Sequence, residues 1–136
     1  MILSQLNYVA VAVSAIAYFF LGAIWYSKAL FATPWAKANN ISMENPDRSG
    51  LGKMMALTFV SCFFIAVVCG YMMLALDSRL CMSGIKLGAI IGVGFVASTY
   101  FINSLYIKKP FSLVLIDGGY HVTGIILCCI ILSVWR

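Results

Sequence analysis

The sequence predicts an all-α integral membrane protein, a four-transmembrane-helix antiparallel bundle with a short interfacial helix after the first span. The first observation is composition, because 63% of the 136 residues are apolar and 10% are charged, against about 45–50% and 25% in soluble domains. The second is length, since so short a chain cannot bury that much apolar surface within itself. The third is that the charges leave four almost uncharged apolar runs, each of the ~20 residues that cross ~30 Å of hydrocarbon. Together these observations exclude a soluble globule, a disordered chain and a basic nucleic-acid-binding protein.

The four runs give the helix boundaries within a single transmembrane domain, residues 1–136. Their connections are short, which is typical of an antiparallel bundle, and no run alternates in polarity as the strands of a membrane barrel do. The predicted elements are spans at about 6–28, 53–76, 84–107 and 110–135, an interfacial segment at about 29–38 and a polar loop at 39–52.

The first span is predicted to be a membrane helix rather than a signal peptide that is cleaved. No Lys or Arg precedes its apolar stretch, and that stretch continues well past the small triplet Ala15-Ile16-Ala17. Aromatic and basic residues follow it, and such residues anchor a helix at the membrane surface. The segment 29–38 is apolar enough to lie in the headgroup layer. The predicted interfacial anchors are Trp25, Tyr26, Lys28, Trp35, Lys108 and Lys109.

The distribution of the basic residues predicts the orientation in the membrane. The net charge is +5, but the bases lie at span ends, so we assign them to topology and anionic headgroups rather than to nucleic acid. Six of the nine lie in the connections after the first and third spans. The positive-inside rule then places both connections in the cytoplasm and both termini outside. The six are Lys28, Lys37, Arg48, Lys53, Lys108 and Lys109, and the other three are Arg79, Lys86 and Arg136.

The third span opens with three glycines at a spacing of four, Gly84, Gly88 and Gly92. Small residues at this spacing let two helix backbones approach closely in lipid. A contact between subunits of a homo-oligomer and close packing within one bundle both account for such a stripe. At helical spacing the same stripe continues through Phe95, Thr99, Asn103 and Tyr106.

Asp117 is the charged residue that the pattern places inside a span, and Tyr120, His121 and Gly124 share its helical face. An ionisable residue at membrane depth is costly and marks a functional site by default, and a carboxylate and an imidazole four residues apart can share a proton. The alternative is that Asp117, ~10 Å along the helix from Lys109, lies near the surface and pairs with a lysine or caps a helix. The predicted polar intramembrane site comprises Asp117, Tyr120, His121, Thr99 and Asn103.

The sequence contains no motif typical of catalysis or of metal binding. The five cysteines form no Cys-x-x-Cys pair, and His121 is the single histidine, so no metal site is predicted. Phosphate-binding glycine loops, Ser-His-Asp arrangements and zinc-protease motifs are absent from the sequence. We therefore expect no cofactor, no nucleic-acid partner and no enzymatic activity.

Short motifs run in order along nearly the whole chain. They are Gly22-x-x-Trp25-Tyr26-Ser27, Phe31, Trp35, Gly94-Phe95, Asn103-x-x-Tyr106 and Gly119-Tyr120. In this order they resemble the domain-of-unknown-function family 1761, small bacterial and fungal membrane proteins with four predicted helices. The resemblance implies the four-span fold and implies no activity. Lys28 stands where members of that family often have proline.

These observations predict a homo-oligomeric membrane protein that binds or passes a small ion or solute, as a channel or transporter does, through the polar face around Asp117. The alternative is a non-catalytic accessory protein that associates with another membrane protein, in which the polar residues only specify helix packing. A lipid- or quinone-binding subunit of an enzyme is a third interpretation. The lipid bilayer is a partner in each case.

Overall fold

The computed structural model describes residues 2–44, 48–77 and 80–135, and every regular element in these ranges is helical. Four of the helices are long and apolar enough to cross a membrane, which confirms the prediction of an all-α, four-span bundle. Arg79 and Arg136, which entered the prediction of orientation, lie outside the described residues. The helices are α1 (Tyr8–Trp25), the short α2 (Ala32–Asn39), α3 (Leu51–Ala75), α4 (Cys81–Tyr106) and α5 (Phe111–Val134).

The helix ends differ by a few residues from the predicted ones, for local reasons. The first helix begins at Tyr8 because Asn7 Oδ1 accepts hydrogen bonds from two backbone N–H groups of the first turn, each at 3.1 Å. Helix α2 ends where Asn40 adopts a left-handed conformation with φ of 56°. Helix α5 begins after Pro110, whose extended backbone cannot belong to the first turn.

Helix α5 is the centre of the bundle. It packs against α1, α3 and α4, and it is the most buried of the four spans, whereas α4 packs mainly on α5 and is the least buried. The space between α1, α3 and α5 is filled by side chains, so the middle of the described bundle is closed. The largest fully buried side chains are Tyr18, Met73, Val11, Cys69, Cys128, Cys129 and Ser14.

The first half of α3 lies away from this core. Every residue from Leu51 to Ser61 is exposed, and the first buried residue of the helix is Cys62. Phe59 keeps an edge-on contact with Phe19, with ring centroids 5.7 Å apart. The end of the bundle where α1 finishes and α5 begins is therefore formed mainly by α1, α4 and α5.

The glycine stripe of α4 packs within the chain. A Cβ at Gly84 or at Gly88 would lie 2.6 Å from a backbone atom of α5, and a Cβ at Gly92 would lie 3.0 Å from one. Such distances leave no room for a side chain, so the two backbones are in direct contact. Of the two alternatives for the stripe, the structure shows close packing inside one bundle.

Two π-helical segments interrupt the spans beyond this contact. They are Gly92–Ala97 in α4 and Val114–Gly118 in α5, and they lie against each other. A π-helical turn holds more residues than an α-helical turn, so it rotates the faces that follow it, and such bulges are frequent at functional sites. A sequence pattern that assumes an unbroken α-helix assigns the wrong face beyond such a segment.

The π-helical segment changes which side chains of α4 face α5. After Gly92, the residue of α4 that faces α5 is Ala97, which lies opposite Gly118. The half-buried Tyr100 and the buried Ser104 continue this face. The positions expected to continue the stripe are mostly turned outward. Exposed side chains occur at Phe95, Thr99, Asn103 and Tyr106.

Gly88→Ala is expected to lower the free energy of unfolding by about 1–3 kcal/mol, because the added methyl would overlap the backbone of α5. Gly94→Ala is the matched control, since a Cβ at Gly94 meets nothing within 4 Å. The midpoint of thermal unfolding in detergent is measured for both variants, and the reaction of the buried thiols with a maleimide dye reports the unfolding. Equal midpoints would contradict packing of the stripe against α5. The reporting thiols are those of Cys62, Cys69, Cys128 and Cys129.

Candidate functional site

Two aromatic residues at the end of α1 hold the π-helical turn of α5. Trp25 Nε1 donates a hydrogen bond to the carbonyl of Ile116 at 3.0 Å, and Tyr26 OH donates to Asp117 Oδ1 at 2.7 Å. A carbonyl oxygen has two lone pairs, so Ile116 can accept the indole in addition to a helical N–H. Trp25 and Tyr26, predicted as surface anchors, therefore also position the segment that carries Asp117.

Asp117 is half-buried, and its carboxylate is held by a phenol rather than by a lysine. Lys109, the lysine that the sequence suggested as a neighbour, donates instead to Asn39 Oδ1 at 3.2 Å. Asp117 lies six residues beyond Phe111, the first residue of α5, which corresponds to ~9 Å of helix rise. Asp117 thus lies within the apolar helix Phe111–Val134, and its carboxylate receives a hydrogen bond from Tyr26 at the end of the neighbouring helix.

His121 lies one turn further along α5, between α1 and α4. Its Nδ1 is 2.5 Å from the hydroxyl of Tyr18. On the other side Tyr100 stacks on the imidazole, with ring centroids 5.4 Å apart and an angle of 22° between the planes. Tyr18 is fully buried, whereas His121 and Tyr100 are half-buried. The imidazole therefore lies between the fully buried Tyr18 in the core and the half-buried Tyr100 at the edge of the site.

Aromatic rings and glycines interlock across the contact between α1 and α5. The ring of Tyr18 occupies the place where a Cβ of Gly124 would lie, and the hydroxyl of Tyr120 lies 3.0 Å from the Cβ position of Gly22. Tyr120 OH also donates to the Tyr18 carbonyl at 3.4 Å. Tyr120 and Gly124, predicted to share the face of Asp117, thus form the packing of that face against α1.

Thr99 and Asn103 are not brought to this site. Both are exposed on α4, and the Thr99 hydroxyl donates to a carbonyl of its own helix. Tyr100 takes their place beside His121, because the π-helical segment turns the face of α4 by about one residue. The regular period of an α-helix contains no signal for that turn, so sequence reasoning missed Tyr100.

Helix α2 packs against the end of the bundle next to Tyr26. The ring of Trp35 meets the ring of Tyr26 edge-on, with centroids 5.7 Å apart. The hydrogen bond from Lys109 to Asn39 joins the end of α2 to the turn before α5. Helix α2 therefore covers part of the site. The other predicted anchors, Lys28 and Lys108, are exposed.

The site combines one carboxylate, one imidazole and several phenols. Within residues 2–44, 48–77 and 80–135, no three His, Cys, Asp or Glu side chains converge in a way that could hold a metal ion. An imidazole gains and loses a proton near neutral pH, and a carboxylate can accept several hydrogen bonds or a cation. The arrangement is suited to proton exchange or to the binding of a small cation.

The family model described as "Protein of unknown function (DUF1761)" matches residues 9–133. The chain belongs to this family. The resemblance that the short motifs indicated is thereby confirmed. No curated protein and no solved structure matches the chain.

Two of the motifs behind the resemblance, the one around Trp25 and Tyr26 and the one at Gly119-Tyr120, meet at the site of this DUF1761 protein. Gly22 makes room for the hydroxyl of Tyr120, and Gly119 makes room for the indole of Trp25, which lies 3.3 Å from its Cβ position. Tyr26, from the same motif as Trp25, donates to the carboxylate. Residues far apart in the sequence therefore converge where α1 ends and α5 begins.

Tyr26→Phe is expected to lower the free energy of unfolding of the DUF1761 protein by about 1.5–3 kcal/mol, the usual contribution of a hydrogen bond to a charged group. Burial, and then the hydrogen bond to Asp117, raise the pKa of the Tyr26 phenol, so its hydroxyl remains a donor at neutral pH. Tyr106→Phe is the matched control, since Tyr106 is 84% exposed. Thermal unfolding reported by the buried thiols compares the two variants. Equal midpoints of unfolding would argue against the hydrogen bond between Tyr26 and Asp117.

Proposed function

We propose that this multi-pass membrane protein binds or passes a small ion or solute, in the simplest case a proton. The residues involved are Asp117, His121, Tyr18, Tyr26 and Tyr100, which we call the Asp117 site. The observation that carries the proposal is the state of Asp117. Its carboxylate lies inside a span, is half-buried, and is bonded to a phenol rather than to a cation.

The energy of a charge at this depth supports the proposal. An aspartate at the centre of a membrane helix costs about 2.5–3.5 kcal/mol on insertion scales, and Asp117, six residues into its helix, carries a smaller cost of the same sign. The hydrogen bond from Tyr26 offsets part of this cost and occupies one of about four lone-pair positions of the carboxylate. The remaining positions can take a proton or a small cation, and either one would neutralise Asp117. A neutralising ligand is therefore favourable at this residue.

His121 and Tyr18 extend the Asp117 site into the core. An imidazole can accept a proton at one nitrogen and release one from the other, and the Tyr18 hydroxyl lies 2.5 Å from Nδ1. One turn beyond Tyr18, the Cys128 thiol donates to the Ser14 carbonyl at 3.5 Å. Polar groups thus follow one another from the end of the bundle towards its middle.

Homo-oligomerisation belongs to the same proposal. Since side chains fill the middle of the described bundle, complete passage needs a route between subunits. The exposed half of α3, Leu51–Ser61, lies at the same membrane level as the Asp117 site and offers a surface that a second copy would cover. In the proposed orientation, in a bacterial inner membrane, the site lies at the cytoplasmic end. The proposed activity is not enzymatic.

A second candidate is a non-catalytic accessory protein that binds another membrane protein. The interlocked contact between α1 and α5 favours it, because Tyr18 and Tyr120 are buried and fill the places opposite two glycines. In this candidate the hydrogen bond between Tyr26 and Asp117 serves only to fix α1 on α5. The two candidates differ in whether the Asp117 site exchanges ions with water.

Proton flux into proteoliposomes that contain a trapped pH dye tests the proposal. Wild-type protein is expected to raise the flux above that of empty liposomes, and Asp117→Asn combined with His121→Ala is expected to return it to that baseline. Thr99→Val, at an exposed polar position of α4, is the control and should leave the flux unchanged. Equal flux in the double variant and the wild type would remove the Asp117 site from the function. A folded wild type without flux would favour the accessory protein.

A further inference from the structure

A groove runs between α4 and α5 on the outer side of the bundle. Its volume is about 530 Å³, within the range of small-molecule binding sites. The groove exists because the two π-helical segments meet there and because α5 presents glycine backbone instead of side chains. Its walls are mainly apolar, and we call it the α4–α5 groove. Residues that line it include Ala97, Phe101, Val114, Gly118, Val122 and Thr123.

The hydroxyl groups on the walls of the groove are already bonded within their own helices. Ser98 OH donates to the Val93 carbonyl at 3.0 Å, and Thr123 OH donates to the Gly119 carbonyl at 2.8 Å. The groove therefore presents hydrocarbon to an occupant. Between Phe111 and Thr123, both of which line the groove, α5 rises ~18 Å. This length is close to one leaflet of a ~30 Å hydrocarbon core, so the groove matches a single acyl chain.

A lysine lies at the membrane-surface end of the groove. Lys108 belongs to the turn that joins α4 to α5, with a left-handed backbone at φ 53°, and its side chain is exposed. The neighbouring Lys109 donates a hydrogen bond from Nζ to Asn39 Oδ1 at 3.2 Å. Lys108 is therefore the cation of this turn that can meet a ligand at the groove.

The whole of this membrane end is positively charged. In the sequence, the connections after the first and third spans carry six basic residues against two acidic ones. A basic pocket between transmembrane helices attracts the phosphate of an anionic lipid, and each lysine near the surface contributes about 1 kcal/mol. Charge and shape thus favour the same occupant. The acidic residues are Glu44 and Asp47.

We propose that the α4–α5 groove and Lys108 together form a binding site for an anionic phospholipid. One acyl chain lies in the groove, and the phosphate contacts the ammonium group of Lys108. The site is separate from the Asp117 site, because Asp117 and His121 do not line the groove. Its occupancy does not depend on ion passage.

Native mass spectrometry of the protein released from detergent tests this site with phosphatidylglycerol and phosphatidylcholine of identical acyl chains. Wild-type protein is expected to retain phosphatidylglycerol about fivefold more strongly, as expected for one lysine near a lipid of net negative charge, because the choline group cancels the phosphate charge of phosphatidylcholine. Lys108→Gln should reduce this preference to that of phosphatidylcholine. Lys86→Gln, an exposed lysine at the other membrane end, is the matched control and should keep the preference.

A second pair of variants tests the groove itself. Thr123→Phe places a ring in the groove from an exposed position and should weaken the retention of both lipids, whereas Val60→Phe, on the exposed half of α3, should not. Equal retention of the two lipids by wild-type protein would overturn the proposal. Equal effects of Lys108→Gln and Lys86→Gln, or of Thr123→Phe and Val60→Phe, would also overturn it. Displacement of the lipid by inorganic phosphate would indicate a free-phosphate site instead.

Discussion

Gly124→Ala is expected to lower the free energy of unfolding by about 3 kcal/mol or more, at the upper end of the range for overpacked cores. The new methyl would coincide with the ring of Tyr18. That ring cannot move aside easily, because Tyr18 is fully buried and its hydroxyl is bonded to His121. A single methyl group would therefore separate α1 from α5, the central helix of the bundle.

Gly118→Ala is the matched control for this variant on the same helix. A Cβ at Gly118 would lie 3.7 Å from Ala97, an ordinary van der Waals contact. The same substitution in a Tyr18→Leu protein tests whether the clash with the ring is the cause. There Gly124→Ala should lower the free energy of unfolding only slightly, because the ring has been removed. Thermal unfolding reported by the buried thiols measures the wild type, the three single variants and the double variant. An equal loss in both backgrounds would show that the clash with Tyr18 does not account for the destabilisation.

Asp117→Asn is expected to reduce proton flux in proteoliposomes about tenfold or more, which corresponds to the loss of about 1.4 kcal/mol of stabilisation along the route. Asparagine has nearly the same shape, and its carbonyl can accept the hydrogen bond from Tyr26, so the fold should persist. It cannot take up a proton or bind a cation through a negative charge. The variant therefore separates the charge of Asp117 from its role in helix packing.

Asp77→Asn provides the control for the loss of a carboxylate, because Asp77 lies beyond the end of α3 and outside the spans. It should leave the flux unchanged. Asp117→Glu should keep a measurable part of the flux, since the ionisable group is retained. If Asp117→Asn and Asp77→Asn reduced the flux to the same extent, the charge of Asp117 would have no special role in transport.

The spans and the polar face of α5 could be read from the sequence. Apolar runs must contact lipid, so their length and the positions of the charges locate four helices. Tyr120, His121 and Gly124 lie within the regular part of α5, directly after the π-helical segment that contains Asp117. Local periodicity was sufficient there, since no interruption separates these three residues.

The partners of that face could not be derived in the same way. The predicted Thr99 and Asn103 are exposed, and Tyr100 stacks on His121 instead. Whether the glycine stripe of α4 served an oligomer or one bundle was also open, because close approach of backbones has the same pattern in both cases.

Composition and charge spacing determined by themselves that this is a four-span membrane protein, and they placed one aspartate, Asp117, within an apolar run, because the energy of transfer into lipid depends on each side chain. The tertiary structure decided that Tyr26 holds Asp117, that Trp25 holds Ile116 and that α4 packs on α5 through bare glycine backbone. These contacts depend on how helices distant in sequence meet and on π-helical turns that packing stabilises. No local pattern of residues contains that information.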